Sequence, residues 1–263
     1  MPGYDTYDYV TRGMYPAIMS FMTPDPLAEK YYDLSPYVYC MNNPILFIDP
    51  KGLSTHLNRL GYIVQENNDG DDGVYYHNDL SNWDSKSTLK KSGDGTNNIG
   101  ELGGTINIDN IYTNLLDMNI ATAKSILNPF TFRKLVKTNG EWDLKNNKKT
   151  IYGKGNDGKT IFLFKGKKME AQDIGNHHFG VVAKAYGLFS EEFILRQAGE
   201  YQIVSGTSRP EWQIYEERSS LNVTPTGGYT YSTHKSMLPP YRDDPRDQKW
   251  IKLGFQFYKT KIK

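Results

Sequence analysis

The chain has 263 residues, a formal net charge of +1 and one cysteine, Cys40. That length allows one or two domains, and an aromatic content of 13%, with 20 tyrosines, argues against wholesale disorder. One cysteine excludes an intrachain disulfide, and no apolar run approaches the roughly 18–20 residues of a membrane span. No basic segment followed by an apolar stretch stands at the N-terminus, so no signal peptide is expected and other machinery would have to carry the protein out of a cell. The charge is unevenly spread. Residues 1–53 hold 3 Lys/Arg against 6 Asp/Glu, residues 54–150 hold 11 against 12, and residues 151–263 hold 17 against 12. A basic last third is compatible with an anionic target such as RNA, although the excess is mild.

Residues 1–53 are rich in Tyr and Pro, with turn signals at Tyr15-Pro16, Thr23-Pro24-Asp25-Pro26, Asn42-Asn43-Pro44 and Asp49-Pro50-Lys51-Gly52. Short extended pieces fit between these turns and a long helix does not. So short and proline-rich a stretch buries little by itself and reads as the end of a larger β structure. Residues 54–104 carry polar tracts at 66–73 and 92–98 around a strand-like Val74-Tyr75-Tyr76. They are expected to be a linker with one or two weak hairpins. From residue 105 the pattern is that of a packed domain. An amphipathic helix is expected from Ile106 to Ala123 and a strand over residues 160–165. Further helices are expected from Gly175 to Tyr186, ended by Gly187, and from Ser190 to about Tyr201. The last runs from Asp244-Pro245 to about Tyr258, with Asp244 as N-cap, Pro245 at the first helical position and Asp247 favoured by the helix N-terminus. The expected fold class is α+β: a helix-rich C-terminal domain (105–263) behind a short β- and turn-rich segment (1–53) and a polar linker (54–104).

The run from Phe21-Met22-Thr23-Pro24-Asp25-Pro26 through Tyr37-Val38-Tyr39 and Asn42-Asn43-Pro44 to Asp49-Pro50-Lys51-Gly52 resembles the end of the Rhs (YD-repeat) repeat-associated core. The resemblance covers roughly residues 5–53. It implies the last part of a β-cocoon that encloses a C-terminal toxin differing from one protein to the next. Residues 15–20 depart from the family's usual Asp-Pro-x-x-Gly-Arg step, and with the late start this reads as a truncated or orphan copy. That core often cleaves itself after an Asp-Pro-x-Gly-Leu step, matched here by Asp49 to Leu53, although Asp49-Pro50 and Gly52 equally make a closing turn, the preferred reading. Over roughly residues 110–263 the chain resembles the polymorphic toxin type 44 domain, a family predicted to be RNases. The matching residues are Trp142 to Lys145, Ala171 to Gly180 with its Gly175-Asn176-His177-His178-Phe179-Gly180 core, Phe193 to Gly199, and Pro239 to Gln248. The resemblance implies a toxin effector of interbacterial competition. It would lie in the producer's cytoplasm, be delivered into a target cell by a secretion apparatus, and be neutralised by a cognate immunity protein.

RNA cleavage without metal needs a base for the 2′-hydroxyl, an acid for the leaving oxygen and a cation for the phosphorane, and histidine with lysine or arginine suits these roles near neutral pH. In a helix over 175–186, His177 and Lys184 share a face, whereas His178 points about 100° away with Val182 and Ala185. His177 is thus the catalytic candidate, with packing as its other reading, and His178 is the core candidate. Asp173 suits capping or orienting a histidine, and Asn176 suits phosphate binding or capping. Arg196 suits an i,i+4 ion pair with Glu192 or a phosphate clamp. Asp143 and Lys145 alternate in a strand-like stretch and face one side together. Asp244, Arg246, Asp247 and Gln248 are substrate-binding candidates by the family match, and the two aspartates among them are capping residues first. No His-x-x-x-His or Cys-x-x-Cys spacing points to a metal, although a carboxylate site of Asp143, Asp173, Asp244 and Asp247 stays open. No phosphate-cradling glycine loop follows a strand, so no cofactor is expected. The expected activity is that of a metal-independent RNase. The alternatives are a peptidoglycan hydrolase using an acid such as Glu192, or an inactive fragment that only binds an immunity protein.

Overall fold

The computed structural model describes residues 7–8, 13–15, 20–24, 35–37, 53–80, 88–93, 95–223, 225 and 227–262. The chain divides into two compact units, Met1–Thr55 with Glu66–Gly73 and His56–Gln65 with Val74–Lys263. In the first, β1 (Tyr7–Asp8), β2 (Gly13–Tyr15) and β3 (Ser20–Phe21) form a three-stranded antiparallel sheet. Asp49, the candidate for self-cleavage or a closing turn, lies outside the described residues.

A seven-stranded sheet has the order β10-β9-β8-β7-β6-β4-β5. Its strands are β4 (Leu53–Leu57), β5 (Ile63–Asn68), β6 (Gly73–His77), β7 (Thr96–Glu101), β8 (Thr105–Asn107), β9 (Ile161–Phe164) and β10 (Lys167–Met169). Leu53 of the expected cleavage step opens β4. Residues 54–104 thus hold far more structure than a linker with weak hairpins: Leu57, Val74 and Tyr76 are buried in the main core. The polar tract at 66–73 that prompted the linker reading overlaps the end of β5, the last strand of this sheet among the described residues.

Six helices follow: α1 (Asp109–Ser125), α2 (Pro129–Val136), α3 (Ile151–Lys154), α4 (Ala171–Tyr186), α5 (Glu191–Val204) and α6 (Pro245–Lys261). The fold is therefore mixed α/β. The helix expected from Ile106 starts three residues later, because Ile106 pairs with Phe162 in the parallel β8–β9 ladder. From there α1 buries Ile111, Leu115, Leu116 and Ala123 along one stripe. Between α5 and α6 lie a 3₁₀ turn (Pro210–Trp212) and an antiparallel hairpin, β11 (Tyr215–Val223) and β12 (Tyr229–Met237), which the sequence reading missed. The stretch holding Asp143 and Lys145, expected to be extended, is a run of turns. Asp143 Oδ2 accepts from Asn139 N and Asn146 Nδ2, both at 2.8 Å, and so closes the turn on itself.

Helices α4 and α6 lie side by side and run the same way: Arg246 at the start of α6 reaches Asp173 at the start of α4, while Lys259 and Lys184 near their ends share Glu191. Glycines allow this approach. A Cβ on Gly180 would stand 2.2 Å from Ile251 O, and one on Gly254 would stand 2.3 Å from His177 O. The Gly180 of the Gly-Asn-His-His-Phe-Gly core is thus a packing residue that sets how close α6 comes to His177.

Candidate active site

Short-range signals fix the helix starts. Glu170 and Asp173 form a capping box at α4, and Asp244 caps α6 by accepting from Arg246 N at 2.8 Å. Because both helices begin at the same end, their first-turn acids gather where two helix dipoles favour negative charge. Asp173, which accepts from Glu170 N at 2.9 Å, also receives Arg246 Nε and Nη2 at 2.8 Å each, and Arg246 reaches Glu170 at 2.9 Å. Next to this pair, Asp247 accepts from Gln172 at 2.7 Å and Gln202 at 3.1 Å. Asp243 accepts from Gln202 at 2.7 Å and Gln248 at 2.5 Å. Burial pushes the Asp243 carboxyl up to about 6 against the hydrogen bond from Gln248, and burial raises Asp247 as well. Lys145 lies along Gly175, and its charge opposes the rise at Asp247.

The blocks at 171–180 and 239–248 are thus brought together. They are joined mainly to each other, with both oxygens of Asp173, Asp243 and Asp247 receiving donors. Sequence reasoning passed over Gln172, Gln202 and Asp243 in this network. Asp243 had a signal, standing beside the capping Asp244; Gln202 had none, because its partners are over forty residues away.

His177 sits elsewhere. It is buried on α4 among Tyr112, Phe164 and Phe257, with ring centroids 5.5–5.8 Å away. The Tyr112 hydroxyl donates to Ile174 O at 3.3 Å and stands 3.0 Å from His177 Nδ1. Where the hydroxyl proton points to Ile174 O, Nδ1–H donates to the hydroxyl and the lone pair falls on Nε2. Nε2 has no partner among the described residues, and His177 lines a cavity of about 160 Å³ together with Phe164, Lys165, Lys167, Gln256 and Phe257. Burial, with the charges of Lys167 and Lys165, lowers the His177 pKa to about 4, so the ring is neutral at pH 7. The two lysines are placed by local rules: β9 and β10 join through Lys165-Gly166, both at positive φ (47° and 76°), the mark of a tight two-residue hairpin. Lys165 Nζ lies 4.9 Å above the Phe257 ring. Neither lysine had been singled out from sequence, since their nearness to His177 is a tertiary fact.

The other candidates fall into structural places. His178 is fully buried, with Nε2 2.9 Å from Asn119 Nδ2, its ring edge-on to Trp142, and a pKa lowered to about 3 by burial and then by His177. Its buried Nδ1 and the Nδ2 of Asn176 find no partner. Lys184 does not join His177, contrary to the helical-face expectation: at 2.8 Å it pairs with Glu191 near the far end of α4. Arg196 makes the i,i+4 pair with Glu192 at 2.7 Å and lies over Tyr241. Gln248 is buried, donating to Leu195 O at 3.1 Å as well as to Asp243. Among the described residues no cluster of three or more His, Cys, Asp or Glu is placed to hold a metal ion, and no helix is long and apolar enough to cross a membrane.

Residues 131–260, just under half of the chain, match the family model for bacterial toxin 44. That span contains α4, α5 and α6 and every candidate named above except Tyr112, Asn119 and the self-cleavage pair. No curated protein and no solved structure matches the chain.

Proposed function

From a C-terminal region similar to bacterial toxin 44, we propose that the protein is a toxin effector that cleaves RNA without a metal, with His177 as the base. The single observation behind this reading is the setting of His177: a neutral imidazole, paired through Nδ1 with the Tyr112 hydroxyl, that lines a cavity with Lys165 and Lys167, and to its Nε2 we assign the lone pair. Nε2 takes the proton of a ribose 2′-hydroxyl, O2′ bonds to the adjacent phosphorus, and the P–O5′ bond breaks. One of the two lysine ammonium groups protonates the departing O5′, and both offset the charge of the phosphorane. The products are a 2′,3′-cyclic phosphate and a 5′-hydroxyl. A phosphate between the lysines also offsets the charges that hold the His177 pKa down, which makes it a stronger base once substrate is bound.

The similarity to a toxin family supports a neutralising immunity protein in the producer and delivery into a competitor, while the N-terminal Rhs-core segment rests on the resemblance of residues 5–53 alone. A wall-hydrolase reading draws on the raised pKa of Asp243, but that carboxyl is sealed by glutamines and Glu192 is tied to Arg196. The test uses the purified full chain and a labelled single-stranded RNA. Wild type should yield 2′,3′-cyclic ends, and a 2′-deoxyribose at the scissile step should stop cleavage there. His177→Ala should lose about 10²–10⁴ in rate. Tyr112→Phe, which keeps the ring and frees the tautomer, should lower kcat and shift its pH profile while leaving KM in place. Cleavage that persists in folded His177→Ala, or on the deoxy substrate, overturns the mechanism; absence of any RNA cleavage overturns the function.

A further inference from the structure

The cavity at His177 is too small for a nucleotide. At about 160 Å³ it admits a phosphate and the ribose edge beside it, whereas sites that enclose whole small molecules run to roughly 300–1,000 Å³. The rest of a bound strand must lie against another surface. A second cavity of about 480 Å³ opens between the Pro239-Pro240 turn and α6, and it shares Leu253 and Gln256 with the first. Both are therefore lined by the same stretch of α6. Between Lys249, which lines the larger cavity, and Gln256, common to both, the helix rises about 10 Å, a span that neighbouring nucleotides of one strand bridge.

We propose that this larger cavity is the flanking-nucleotide subsite of the same enzyme, holding the phosphate and base next to the scissile step of a single-stranded RNA; it rests on the RNase reading above. Its chemistry is that of an anion site with apolar walls. Lys249 and Lys252 line it three residues apart on one exposed face of α6, no acidic residue lines it, and neither lysine has an ion-pair partner among the described residues. Other cations of α6 are engaged: Arg246 with Asp173 and Glu170, Lys259 with Glu191, Lys261 with Asp117. Pro239 and Pro240 supply a rigid apolar wall against which a base or ribose packs.

The test measures binding apart from cleavage, with the full-length protein and a dye-labelled oligoribonucleotide whose riboses are 2′-O-methylated and cannot react. Each phosphate contact on a single strand contributes about 0.7 to the slope of log affinity against log salt. The Lys249→Ala/Lys252→Ala double variant should therefore lose about 1.4 in slope and bind roughly tenfold more weakly near 0.15 M salt. Lys137→Ala, on the exposed end of α2, should change neither. If wild type binds with this lysine dependence but cleaves nothing, the subsite stands and the RNase reading falls. If wild type cleaves but the double variant binds with unchanged affinity and slope, the subsite is overturned and the RNase reading stands. Failure of wild type to bind the oligonucleotide overturns the subsite.

Discussion

Gly254→Ala should destabilise the protein, although alanine is the better helix former. In an open helix the change from Gly to Ala contributes about 0.4–1 kcal/mol of stability, through propensity and lost unfolded-state entropy. At Gly254 the added Cβ would stand 2.3 Å from His177 O and 2.8 Å from Val181 N, both backbone atoms of α4. An ordinary contact begins near 3.4 Å, so the helices would have to part by about 1 Å, loosening Trp250, Ile251 and Phe255 in a close-packed core. Overpacking of this kind costs about 1–3 kcal/mol, occasionally more, which outweighs the propensity gain. Net of the propensity gain about 1–2 kcal/mol is lost, and since each kcal/mol moves the melting temperature of a unit of this size by roughly 2–4 °C, a fall of about 2–8 °C is expected. Gly180→Ala, facing Ile251 O at 2.2 Å, should behave alike. Gly175→Ala provides the contrast: in α4 too, it would meet only the Lys145 side chain at 3.6 Å and should melt slightly higher than wild type. Thermal melts of the three purified variants decide the matter. A Gly254→Ala protein as stable as wild type, or a Gly175→Ala protein as weak as Gly254→Ala, would refute close backbone packing between α4 and α6.

Acid should weaken the fold. His177 and His178 titrate near 4 and 3 when folded, below their unfolded value of about 6.5, so the stability present above about pH 6.5 is lost as the pH falls and the unfolded chain takes protons first. By pH 4 this removes roughly 3 kcal/mol per histidine, while Asp243, raised to about 6, acts with opposite sign and returns roughly 3 kcal/mol between pH 6 and 4. Urea unfolding at pH 7, 5 and 4 should therefore show a net fall of a few kcal/mol; flat or rising stability contradicts the assignment. A fragment beginning at residue 105 should fail to fold stably, because it lacks β4 to β7 and the burial of Leu57, Val74 and Tyr76, worth roughly 1.5–3 kcal/mol apiece. Limited proteolysis should protect a fragment that begins near residue 53, and a stable fragment starting at 90–115 would show the strands before it to be dispensable.

What the sequence determined by itself is what neighbouring residues decide among themselves. Asp244-Pro245 opens α6, Ser190 opens α5 and Gly187 closes α4 at φ 77° because caps are hydrogen bonds within one turn of backbone. The apolar run at 161–164 is a strand for a similarly local reason. The two histidines could be separated only as far as helical angle allows. Their 100° offset assigns each a face, but what stands opposite that face comes from α1, β9, β10 and α6. Hence Lys184, correctly placed one stripe along from His177, turned out to serve Glu191, while Lys165 and Lys167 reached the histidine by way of a hairpin. Before residue 105 only the strand-like Val74–Tyr76 and weak hairpins were legible, because the core that buries Leu57 and Val74 is built with later segments and a polar strand end reads like a loop. Tertiary structure alone joined Asp173 to Arg246 across 73 residues and set the Tyr112 hydroxyl against His177 across 65. A hydrogen bond between such distant positions leaves no periodicity in either segment, so only the packed fold decides which proton the histidine carries.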